Sequence, residues 1–194
     1  MKGQGSGAQA KILALFEYLT AESAAVKYGS AKALRQMSEE SPELLYPRFD
    51  DFVRLFRGDN TILRWGATLI LGNLAGADHL NKFEKIFKRF FAPITGHELI
   101  GAANVIRAAV QVALAKPHLA DRSAGEILKV EEASYRTLEC RNVAISRAIE
   151  SLDEFFPHIK NRRPVLEFAA RQLDNQRPAV RRKAERFLKR HAAA

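Results

Sequence analysis

One pattern recurs along this chain and restricts its fold more than any other: an apolar or thiol side chain followed four residues later by a small one. The pairs are Val26/Ser30, Leu63/Ala67, Leu99/Ala103, Cys140/Ala144 and Val180/Ala184, with successive starts 37, 36, 41 and 40 residues apart. A spacing of four puts both members on one helix face, and the small side chain lets a neighbouring helix come close. A period of roughly 34 to 47 residues holds one pair of antiparallel helices, so five such pairs are expected. Apolar residues elsewhere also fall at three- and four-residue spacing, and no stretch alternates strictly enough for a strand.

Helix-start chemistry divides the chain at the same rhythm. Ser41-Pro42-Glu43 sets a cap ahead of a proline at the first helical position, Asp59-Asn60 follows a stop at Gly58, and Thr95-x-x-Glu98 has capping-box spacing. First helices are predicted over 8–19, 42–57, 79–91, 119–135 and 162–173. Second helices are predicted over 23–39, 60–75, 97–115, 138–155 and 178–191. The repeats then run 8–40, 41–77, 78–116, 117–157 and 158–191 as a single domain, between a glycine-rich flexible start at 1–7 and an alanine tail at 192–194.

The residue after the anchor is basic in four of the five pairs: Lys27, Arg64, Arg141 and Arg181. Here the chain resembles the HEAT-repeat family of armadillo-like helical solenoids, whose second helix carries an Asp ahead of a Val-Arg-x-x-Ala run and whose first helix contains a proline. The second repeat matches best, with Leu45-Tyr46-Pro47, Asp59, Leu63-Arg64-x-x-Ala67 and Leu71-Gly72. The fifth has Asn175, Val180-Arg181-x-x-Ala184 and Leu188. The third departs, with Ile100 at the basic position and Arg107 eight residues after its anchor. The resemblance covers about 9–191 and implies an all-α fold, a right-handed α-α superhelix whose second helices line an extended concave face. It also implies that the arginines bond to turn carboxylates, Arg64 to Asp59 among them.

The chain has 194 residues, 47% of them hydrophobic, enough to bury a continuous core. Its one cysteine, Cys140, forms no intramolecular disulfide, and no signal segment opens the sequence, so a reducing cytoplasm is expected. The most apolar stretch, 99–115, is interrupted by Asn104, Arg107 and Gln111, and no membrane insertion is expected. The net charge is +9, and residues 160–194 hold eleven Lys or Arg against three acids, an excess of +8.

Catalytic and metal chemistry find no constellation. The histidines at 79, 97, 118, 158 and 191 lack i, i+4 partners and cysteine neighbours, which excludes the usual zinc spacings. His97-Glu98 is a single pair where HEAT-like iron hydroxylases use several, and Glu98 is assigned to the capping box with Thr95. Cys140 is expected as a small buried side chain. No glycine-rich phosphate loop is present, and no cofactor is expected. In Asn81 to Phe91, Phe83, Ile86, Phe87, Phe90 and Phe91 form one core-facing stripe, leaving Lys82, Lys85, Lys88 and Arg89 as a solvated back.

Three functional classes follow, ranked in this order. The first is a non-enzymatic scaffold that binds a protein partner on its concave surface, through Lys27, Arg64, Trp65, Asn104, Arg107, Arg141, Arg181 and Arg182. The second is binding of nucleic acid or another polyanion through the basic last repeat, where Val180, Ala184, Phe187 and Leu188 leave the remaining faces of one helix to bases. The third is an enzyme resembling HEAT-like alkylpurine DNA glycosylases, which use Trp and Asp beside a basic cleft. Four residues after Trp65 stands Leu69, not a carboxylate.

Overall fold

The structure is a computed structural model that describes residues 3–191; Met1, Lys2 and the predicted tail 192–194 lie outside the described residues. Every regular element among them is an α-helix or a short 3-10 turn, and no strand occurs. The chain divides into two compact units, residues 1–85 and 86–194.

The first unit contains α1 (Gly3–Tyr18), α2 (Ala24–Glu40), α3 (Pro42–Leu45), α4 (Phe49–Arg57) and α5 (Thr61–Leu74). Residues 3–7, marked in the sequence as a flexible lead-in, fall within the bounds of α1. α2 packs on both α1 and α5, and α4 packs on α5. Ile12, Leu34, Leu45, Phe49, Phe52 and Leu71 fill the core at under 2% exposure. Phe16 meets Phe52 at 5.1 Å between ring centroids, and the Arg48 guanidinium lies 4.5 Å over the Phe16 ring.

The unit boundary falls within α6 (Lys82–Phe91). The second unit continues with α7 (Leu99–Ala115), α8 (Ala120–Leu128), α9 (Leu138–Phe155), α10 (Arg163–Arg171) and α11 (Pro178–His191). α7, α9 and α11 lie side by side in that order, while α8 packs on α7 and α10, and α10 packs on α11. Ala102 and Ala109 on α7 and Ala144 and Ala148 on α9 are fully buried, the short side chains that close packing of two helices requires. The predicted phenylalanine stripe of α6 is buried throughout, with Lys85, Lys88 and Arg89 exposed on its back.

Several local expectations are corrected. Helix 42–57 is interrupted by a 3-10 turn at Tyr46–Arg48, because Pro47 has no amide hydrogen for the α-helical ladder. Helix 119–135 ends at Leu128 and gives way to a 3-10 turn at Lys129–Glu132. Thr95 caps nothing: it closes the 3-10 turn Ala92–Thr95, where its hydroxyl donates to the Ala92 carbonyl at 3.3 Å, and Glu98 itself occupies the N-cap of α7. In the third pair the fully buried small residue is Ala102, not Ala103, a shift of one position. Val26 is 42% exposed and Cys140 is half-buried, so neither anchor is a core side chain.

Candidate functional site

Three helices, α2, α5 and α9, start where a short polar side chain satisfies one of their first free amides. Ser23, Asn60 and Thr137 accept from the backbone N–H three residues on, Asn60 from Leu63 at 3.1 Å and Thr137 from Cys140 at 3.1 Å.

A groove of about 600 Å³ lies between α7 and α9 in the second unit. α7 contributes Ala103, Asn104 and Arg107, and α9 contributes Arg147, Glu150, Ser151, Asp153 and Glu154. Ala103 and Asn104 lie one turn before Arg107, and Glu150, Ser151 and Glu154 follow Arg147 by three, four and seven residues, so each set occupies one broad helix face. Ile100, 52% exposed, lies one turn before Ala103 and Asn104 on that same face of α7.

The charges of the groove are not equivalent. Glu150 is engaged by Lys183 of α11 at 2.6 Å and by Arg147 at 3.4 Å, and Lys183 also donates to the Ser146 hydroxyl at 2.7 Å. Asp153 takes Arg190 and His191 from the end of α11, the latter at 2.6 Å. The acids of α9 thus bind α9 to α11. Asn104, Arg107 and Glu154 have no hydrogen-bond or ion-pair partner among the described residues, so the groove offers one unpaired amide, one cation and one carboxylate.

Of the residues selected from the sequence, the structure brings Asn104 and Arg107 together in this groove. Arg141 and Arg181 are half-buried and spent on turn backbone. Arg141 Nη2 donates to the Ala133 carbonyl at 2.9 Å, and Arg181 Nη1 donates to those of Asn175 at 2.8 Å and Gln176 at 3.2 Å. Carbonyls thus stand where the family pattern implies carboxylates. Arg182 is exposed on α11. Lys27, Arg64 and Trp65 belong to the first unit, all half-buried; Arg64 donates to Thr61 Oγ1 at 3.4 Å, and Trp65 Nε1 is buried without a partner.

Arg147, Glu150, Asp153 and Glu154 were not selected from the sequence. A signal for Arg147 existed: it follows its anchor by seven residues, as Arg107 follows its own by eight.

A smaller groove of about 350 Å³ in the first unit is lined by Phe16, Leu19, Leu55 and Leu63 together with Asp51 and Asn60. Among the described residues no three His, Cys, Asp or Glu side chains are placed to hold a metal ion, and no helix is long and apolar enough to cross a membrane. No protein-family model matches the chain, and neither a curated protein nor a solved structure matches it.

Proposed function

We propose that this protein is a non-enzymatic interaction module that docks a polypeptide partner on the exposed face of α7 and α9. In this reading its helical pairs are HEAT-like repeats of a right-handed solenoid, and its work is binding without bond-making chemistry. The observation that carries it is the unpaired trio of Asn104, Arg107 and Glu154 in one groove. Small-molecule sites are mostly apolar with a few convergent polar groups, whereas here the only apolar side chain in the lining is Ala103. A phosphate-binding cleft needs unopposed cations, and Arg107 shares the groove with Glu154.

A polypeptide carries both signs of charge, and its backbone supplies the donor and acceptor that an asparagine amide matches. Ile100 beside the groove provides an apolar anchor. The lone cysteine suits a reducing compartment, and the cytoplasm is the proposed location.

The test is selection of displayed peptides on the protein, with Kd measured for the enriched sequences against Arg107→Glu, Glu154→Arg and the double swap. Each single reversal is expected to weaken binding by about tenfold or more, as for loss of a complementary charge pair. Peptides that bind wild type and all three variants equally would remove the groove from the reading.

A further inference from the structure

Among the described residues, five of the eleven Lys and Arg in residues 160–194 are engaged in ion pairs. Arg163, Arg171, Arg177, Lys183 and Arg190 each stand in an ion pair with an acid of the second unit, Arg171 through two bonds to Glu131. The bonds to Glu131 hold the Arg171 guanidinium above its ordinary pKa, and that to Glu167 does the same for Arg163. Arg181 is bound to turn carbonyls, while Arg162 donates to the Ile159 carbonyl at 3.2 Å and its guanidinium lies 5.1 Å over the Phe156 ring. On α11 that leaves Arg182, Arg186 and Lys189, exposed and with no ion-pair or hydrogen-bond partner among the described residues.

These three are not scattered. At spacings of four and three residues they form one stripe about 10 Å long on α11, turned away from the buried Val180, Ala184 and Phe187. Glu185 lies at one edge of the stripe, and no large apolar side chain of α11 is exposed.

We infer that this outer face of α11 is a contact for the phosphate backbone of nucleic acid, independent of sequence. The absence of an apolar anchor decides the partner class. Protein interfaces draw their affinity from buried aromatic and apolar hot spots at a desolvated centre, which this face does not offer. Phosphate contacts need only accessible cations, because the gain comes from released counterions, and an arginine fork matches phosphate oxygens in pairs. The stripe lies on a different helix from Asn104, Arg107 and Glu154, so the inference stands apart from the peptide groove.

The experiment is fluorescence anisotropy of labelled duplex DNA, single-stranded DNA and RNA at about 50 and 200 mM salt. Three neutralised phosphates on duplex DNA predict roughly a 40-fold loss of affinity across that fourfold range of salt. Arg182→Glu, Arg186→Glu and Lys189→Glu together are expected to abolish binding, with the helical circular dichroism retained because these exposed side chains make no internal hydrogen bond or ion pair among the described residues. Lys85→Glu, Lys88→Glu and Arg89→Glu carry the same change of net charge on α6 and are expected to keep the affinity within about threefold. No binding at the lower salt overturns the inference, as does equal loss in the α6 variant. Competition by polyglutamate as effective as by unlabelled nucleic acid also overturns it, and assigns the face to an acidic polypeptide.

Discussion

Asp78 is an acid at 4% exposure, held by donors from three directions. Tyr46 donates its hydroxyl at 2.6 Å, and the amides of Lys82 and Phe83 donate at 2.8 and 2.9 Å, which fixes the start of α6. Burial, and the bond to Asp78 after it, push the Tyr46 phenol up to about 12. Tyr135, whose hydroxyl donates to the Ile94 carbonyl at 2.6 Å, is likewise pushed up to about 12 by burial, against the opposing charge of Arg141. The folded protein therefore keeps both phenolic protons to higher pH than the unfolded chain, which releases them near 10.0. Their contribution to stability is complete below pH 10 and is lost as pH rises towards 12. Urea midpoints taken from about pH 9 to 12 should fall more steeply for wild type than for the Tyr46→Phe, Tyr135→Phe variant; equal slopes would refute the assignment. Nothing at the sequence level marks the pairing of Tyr46 with Asp78, since the two are 32 positions apart.

At the scale of elements, helix starts were legible wherever a cap acts within its own turn. Asn60 makes the cap expected of it, Thr137 makes one that was not singled out from the sequence, and Ser41 occupies an N-cap without a side-chain bond. Asn60→Ala and Thr137→Ala should each cost about 1 kcal/mol in denaturant unfolding, and Ser41→Ala should stay within about 0.5 kcal/mol. A cost for Ser41→Ala equal to the others would mean that its hydroxyl caps α3 in solution. Thr95-x-x-Glu98 failed as a capping box because Pro93 favours a tight turn there, which moves the start of α7 past Thr95. The α6 stripe was legible in full, since five apolar side chains at helical spacing have one way to be buried. The groove was legible only on its α7 wall: Asn104 and Arg107 share a helix, but their pairing with Glu154 depends on how α9 lies against α7.

For the molecule as a whole, helix is the only regular structure among the described residues. An amide I infrared spectrum should fit without a β-sheet component, and a resolved sheet band would contradict the fold. Such content was readable in advance because a helix is written in contacts of three and four residues, in caps, and in prolines that end or interrupt it. The sequence by itself determined this helical character, most of the helix starts and apolar faces such as that of α6. Only the tertiary structure decided what the charge excess means. Arg171 meets Glu131, Arg177 meets Glu139, Lys183 meets Glu150 and Arg190 meets Asp153. These partners are roughly 30 to 40 residues apart, beyond any local period, so ion pairing between packed helices takes up part of a diffuse basic segment and leaves Arg182, Arg186 and Lys189 as the unpaired cations of α11 among the described residues.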